Sequence, residues 1–259
     1  MSIIDVERHD QGIARVVMKH ELARNAMGEE LRGALLTVLP ELAMDGQTRV
    51  IVIASGLKDF SVGGDLSKMD ELSDPKVGRQ RMLSAHRLAR LLLSIDKPLV
   101  AEVRGHAVGA GAGLALACDT IVMGETASIG FPFLRVGLAP DFAIAHTLTR
   151  RIGLAKARQA LLYARSFKGP EALAIGMVDE VVADDSVTIT AMERAHEMAS
   201  LPSLAASLTK RMMEYSADPV AVLDFEAMAQ PICFASDDFR EGLSAFREKR
   251  KPRFGSPVR

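Results

Sequence analysis

Three segments of the 259-residue chain hold residue types and spacings that can do chemistry. The first is Phe60-Ser61-Val62-Gly63-Gly64-Asp65-Leu66, whose adjacent glycines permit a sharp turn and leave amide N–H groups unshielded by side chains. Such a turn suits an anionic oxygen, and a plain turn before a helix is the alternative. The second is Gly105-His106-Ala107-Val108-Gly109-Ala110-Gly111-Ala112-Gly113-Leu114. Small residues just ahead of a helical run gather free N–H groups and the positive end of a helix dipole at one spot. Close packing of a buried helix on a sheet explains the same composition. Neither segment is a dinucleotide or P-loop fingerprint. Both follow strands expected to be neighbours, so each can offer an N–H to one shared oxygen, which is an oxyanion hole. The third is Arg135-Val136-Gly137-Leu138-Ala139-Pro140-Asp141-Phe142. Asp141 follows a proline at an expected helix start and fits an N-cap. The apolar Phe131, Phe133, Val136, Leu138 and Phe142 around it favour a second role, a carboxylate made more basic by its surroundings.

These segments need elements to position them. Runs at 3–8 and 13–18 read as strands of a hairpin turned by His9-Asp10-Gln11-Gly12. Apolar Leu31, Leu35, Val38 and Leu42 mark a helix over 28–44, and the apolar run 49–54 a strand covered on both faces. A helix over 77–94, with Met82, Leu83, Leu88, Leu91 and Leu92 at helical spacing, stops before Lys97-Pro98. Strands at 99–103 and 120–123 flank a tightly packed helix at 109–118. Past Asp141 the pattern is helical at 142–150, 153–163, 186–200, 202–214 and 219–247, and only 178–182 reads as a strand. The class is α/β with parallel crossovers and a helical last third, without a linker dividing it.

Composition narrows the function. Apolar residues at 48% and charged residues at 25% belong to a globule that buries a large core. Lys+Arg 32 against Asp+Glu 33 leaves a charge of −1, so no global field draws nucleic acid or anionic lipid. Cys118 and Cys233 are too few for a disulfide frame, and the six scattered His give no metal-ligand spacing. A reducing, cytoplasmic setting is expected. The opening MSIIDVERHD lacks the pattern of a signal peptide, and no stretch nears the roughly 20 apolar residues of a membrane span. The basic tail EKRKPRFG is expected to be solvated.

The motifs FSVGGDL, KPLVAEVRGHAVGAGAGLALACD, GLAPD and EGLSAFREKRKPRF, in this order over nearly the whole chain, resemble the crotonase (enoyl-CoA hydratase/isomerase) superfamily. The resemblance implies a spiral of ββα units over 1–200 carrying an acyl-CoA site. It also implies a helical oligomerisation region over 201–259 that is not an independent domain, in a homotrimer or a dimer of trimers. The substrate would be an acyl-CoA thioester, with coenzyme A as part of the substrate and no separate cofactor or metal. The oxyanion amides fall on Gly64 and Ala110, where small substitutions would do little and bulky ones would clash. Family hydratases carry two glutamates, and their positions are Gly113 and Phe133 here. Members that resemble this chain at GLAPD instead use the aspartate of that turn as a proton shuttle, which is Asp141. Further implied contacts are the Ala23 backbone, Arg24 in place of a lysine replaced by Leu22, the wall at Gly63, Asp65, Leu66 and Phe133, and Phe246 and Lys249, which a neighbouring subunit could supply. Adding water divides acid and base work between two carboxylates, whereas a 1,3-proton shift needs one. Double-bond isomerisation of an enoyl-CoA is therefore the expected reaction. Hydration through a relocated carboxylate, Glu102 or Glu125, and a non-catalytic acyl-CoA binder are the alternatives. His106, His146 and Asp119 are expected to be structural, and no nucleophile elbow supports a Ser61 triad.

Overall fold

The computed structural model describes residues 2–65 and 74–255. Along the chain, β1 (Ile4–His9) and β2 (Ile13–Met18) form a hairpin, α1 (Glu29–Met44) leads to β3 (Val50–Ser55), and α2 (Pro75–Ser94) leads to β4 (Leu99–Val103) and β5 (His106–Val108). Then α3 (Ala110–Leu116) leads to β6 (Thr120–Gly124) and β7 (Ser128–Gly130). There follow α4 (Ile144–Leu162), β8 (Ser166–Lys168), α5 (Gly169–Ala174), β9 (Glu180–Val182), α6 (Val187–Ala199), α7 (Ser203–Met213), α8 (Pro219–Phe234) and α9 (Asp237–Glu248). The hairpin turn depends on Gly12, at φ +76, where a Cβ would stand 2.3 Å from the Gln47 carbonyl oxygen.

One sheet runs β1-β2-β3-β4-β6-β9 and a shorter one β5-β7-β8. Only β1 against β2 and β7 against β8 are antiparallel. Successive turns of chain give a strand to the long sheet, a short one to the second and then a helix: β4, β5, α3, and next β6, β7, α4. This is the ββα spiral of an α/β fold.

The apolar runs are explained by two covered faces. Val16, Met18, Ile51, Ile53, Ala101, Val103, Ile121 and Met123 join the core under α1, α2 and α3. The alternate positions Ile13, Val50, Val52, Val100 and Val122 pack with Val187, Ala191, Ala195 and Ala199 of α6. Each run is mostly apolar because both phases of the strand period are buried. Beyond α6, α7 is tied to the core by Lys210 Nζ, which donates to the Lys97 carbonyl at 3.0 Å and pairs with Asp119 at 2.6 Å.

Several expectations change. β5, β8 and α5 escaped the sequence pattern because three to six residues are too few to show a period. The expected helix 219–247 is two, broken where Ser236 Oγ accepts from the Phe239 N–H at 3.1 Å and caps α9. Leu83 is 51% exposed, and the inward stripe of α2 is Ala85, Leu88, Ala89 and Leu92. In α1 the inward residue is Leu39, with Val38 beside it at the edge of the core. The helix expected near 141 begins at Ile144, after Phe142 and Ala143 in left-handed conformations at φ 53 and 60. No helix among the described residues is long and apolar enough to cross a membrane.

Candidate active site

The two glycine-rich loops converge through one long-range pairing. Ser61 forms a parallel bridge with Ala107. Its N–H donates to the His106 carbonyl at 2.9 Å, and its carbonyl accepts from the Val108 N–H at 3.0 Å. Gly64 and Ala110 each lie three residues beyond that pair, so parallel registration brings them to the same end. Glycine is needed where the loops touch. A Cβ at Gly63, φ +96, would stand 2.7 Å from the Val108 carbonyl oxygen, and one at Gly111 would stand 2.6 Å from Ser61 Oγ. Ala110 opens α3, so its N–H precedes the helix's own ladder. Among the described residues no acceptor takes the N–H of Gly64 or of Ala110.

The segment holding Ala23 and Arg24 is fastened to this frame by residues the sequence reading missed. Asn25 is fully buried, and its amide donates to the Met18 carbonyl, Ser55 Oγ and the Phe60 carbonyl at 2.9–3.3 Å. Ser61 Oγ donates to the Asn25 carbonyl at 2.6 Å, and the Met27 N–H to the Gly63 carbonyl at 2.6 Å. Ser61 is thus a buried brace. A buried Asn flanked by turn residues is the signal that could have marked this hub. Arg24 is left-handed at φ 48, and its guanidinium pairs with buried Asp59.

Asp141 does not cap a helix. The left-handed Phe142 and Ala143 delay α4, whose N-cap is Ala143 without a side-chain cap bond. A bulky residue at φ 53 carries strain of about 1–3 kcal/mol, a cost usually found where the local geometry serves a site. Its effect is to keep Asp141 out of the cap position. Asp141 Oδ1 is buried with no hydrogen-bond partner. Burial pushes its carboxyl above the ordinary range, while its own backbone N–H and the positive fields of His86, Arg81 and Arg32 pull the other way and lose.

Gly64, Ala110 and Asp141 line one cavity of about 430 Å³. Leu138 and Phe142 form part of its wall, as expected, but Val136 is exposed and Phe131 and Phe133 lie outside the lining. Two cations were missed, Arg32 of α1 and Arg81 of α2. Arg32 falls on the buried helical stripe with Leu35 and Leu39, a charge on an apolar face that the sequence displays. Asp141 is the one carboxylate among the described lining residues.

Of the aligned glutamate positions one is sterically closed and the other is filled by a phenylalanine. A Cβ at Gly113 would stand 2.9 Å from Cβ and Cδ1 of Phe142. Phe133 is buried, its ring tip 3.6 Å from where a Gly109 Cβ would stand. Glu102 points to the opposite face of the sheet, gripped by Arg15 at 2.9 and 3.2 Å and accepting from Thr188 Oγ1 at 2.6 Å. Glu125 is exposed. His106 is exposed and bonds Ser128 Oγ, and Asp119 accepts from the Leu99 N–H. His146 lines a different hollow beside α7. Asp65 lies against the start of α1, its Oδ2 3.6 Å from a Gly28 Cβ position. Leu66 lies outside the described residues. Leu22 is fully exposed, and Phe246 and Lys249, on and just after α9, do not line the cavity of their own chain.

With this geometry in hand, the similarities to known proteins become informative. The family model described as enoyl-CoA hydratase/isomerase matches residues 8–257. The chain is 31% identical to short-chain-enoyl-CoA hydratase of Clostridium acetobutylicum, over 92% of each protein. It is 35% identical to the mitochondrial enoyl-CoA hydratase domain-containing protein 2 of Bos taurus, over 95% of this chain and 85% of that one. The crystal structure of an enoyl-CoA hydratase from Bacillus anthracis superposes with a TM-score of 0.92 at 26% identity, covering 98% of this chain and 99% of that one.

Proposed function

The chain belongs to the enoyl-CoA hydratase/isomerase family, and from that premise we propose that it isomerises the double bond of an enoyl-CoA with Asp141 as the sole acid–base group. The Gly64 and Ala110 N–H groups receive the thioester oxygen. Asp141 removes a proton from the α-carbon of a 3-enoyl-CoA, and the electron pair of that C–H bond delocalises through the carbonyl to give a dienolate. Negative charge grows on the oxygen held by the two amides, where one such donor is worth about 3–4 kcal/mol of barrier. The protonated Asp141 then returns the proton to the γ-carbon, and the double bond moves into conjugation. No water is consumed and no second acid is needed.

The supporting observation is the cavity that holds both amides together with one carboxylate among its described lining residues, whose buried Oδ1 has no partner and whose basicity burial raises. Hydration is the second reading, and the names of the relatives favour it. It requires a second acid, at a place where Gly113 and Phe133 leave no carboxylate. Coenzyme A is proposed to run over the Ala23 backbone. Because Arg24 is engaged with Asp59, the phosphates fall to cations of the C-terminal segment, with Lys249 and Phe246 supplied by a neighbouring copy in a trimer.

Assaying one preparation with 3-hexenoyl-CoA and with crotonyl-CoA separates the readings. Isomerisation faster than hydration is expected; hydration with little isomerisation would replace this reading by the second, and binding without turnover of either would leave an acyl-CoA binder.

A further inference from the structure

Resting on the acyl-CoA reading above, we propose that the cavity selects acyl chains that end in a carboxylate. Among the described lining residues two guanidiniums, Arg32 and Arg81, face one carboxylate, Asp141, around the same space, so the described charged lining carries a positive surplus. Arg32 is only 6% exposed. Its Nη1 donates to the Met27 carbonyl at 2.6 Å, and its Nε is buried with no acceptor. Arg81 spends one N–H on the Asp65 carbonyl at 3.1 Å. Among the described residues Asp141 forms no ion pair with either guanidinium, and its Oδ1 has no partner.

A methyl-ended chain would lay hydrocarbon against these cations and leave the Arg32 N–H unpaired inside the protein, which is costly. A terminal carboxylate removes that cost, because it accepts charge-assisted hydrogen bonds from guanidinium groups, two at a time where the planes align. With the thioester oxygen on Gly64 and Ala110 and the reacting carbons beside Asp141, the arginines remain for the part of the chain beyond those carbons. The surplus cationic wall thus has an occupant that the oxyanion amides and Asp141 do not supply.

The test compares binding of hexanoyl-CoA and adipyl-CoA by calorimetry, two saturated ligands of equal chain length that differ at the terminus and cannot react. Adipyl-CoA is expected to bind the wild-type protein about tenfold more tightly or better, and Arg81→Met to bring the two within about twofold. Arg32→Met is expected to do the same, and if it fails to fold the wild-type protein and Arg81→Met decide. Equal or tighter binding of hexanoyl-CoA overturns the proposal, as does an Arg81→Met protein that keeps the full preference. Since neither ligand turns over, a missing preference leaves the isomerase reading standing. A failure to isomerise 3-hexenoyl-CoA likewise leaves the preference for a carboxylate intact.

Discussion

Asp141 sits between opposed fields. Removal from water favours its neutral form, and His86, Arg81 and Arg32 favour its charged form, with burial prevailing. A carboxyl with a raised folded-state pKa binds its proton more tightly folded than unfolded. Its contribution to stability is therefore best at low pH and declines as pH climbs from the unfolded value toward the folded one. Asp141→Asn removes that decline, so the variant should melt at a higher temperature than the parent at neutral pH, with the gain vanishing below the ordinary carboxyl value of 3.8. Thermal scans across pH check it, and a variant less stable at neutral pH contradicts it. The same sign places the acid limb of kcat/KM above 3.8, since the base must be ionised in the free enzyme. The chemical identity of this residue was legible in GLAPD and its apolar setting in Leu138 and Phe142, but the displaced helix start was not. Two left-handed residues, Phe142 and Ala143, move the helix start, and neither is the Gly or Asn that would announce such a conformation.

At the scale of elements, α3 is held so close to its neighbours that its composition follows from contact rather than helix propensity. Gly111 abuts Ser61 and Gly113 abuts Phe142. Restoring a family glutamate by Gly113→Glu should therefore overpack the helix, at a cost of about 1–3 kcal/mol, without creating hydratase activity. Denaturant unfolding and a crotonyl-CoA assay measure both, and a stable variant that hydrates would refute the steric account. Strands β3 and β4 could be read from the sequence because both of their faces are covered and all their residues but Ser55 and Glu102 are apolar. The Ser61–Ala107 bridge could not, since it joins distant residues with no local pattern, and that bridge is what aligns Gly64 with Ala110. Arg32 is the converse case: its place on the apolar stripe of α1 was visible, and the cavity behind that stripe was not.

The whole molecule joins a spiral that brings the loops together to a run of C-terminal helices. Val220, Leu223, Met228, Ile232 and Phe234 of α8 and Phe246 of α9 are exposed, and the proposed trimer predicts that neighbouring copies cover them. A second and third copy covering them would also bring Phe246 and Lys249 within reach of a neighbour's coenzyme. Sedimentation equilibrium should then return three times the chain mass, or six, and a stable monomer that binds acyl-CoA at full affinity would contradict this. The α/β class and the ββα order were legible as motif order, whereas the short second sheet appeared only in three dimensions.

The most direct measurement of the central claim is the turnover of 3-hexenoyl-CoA by Asp141→Asn, read beside its affinity for a saturated acyl-CoA. Loss of one group that both takes and returns the proton should lower kcat by about a hundred- to ten-thousand-fold with affinity retained. Turnover within a few-fold of the parent would show that the proton travels by another group.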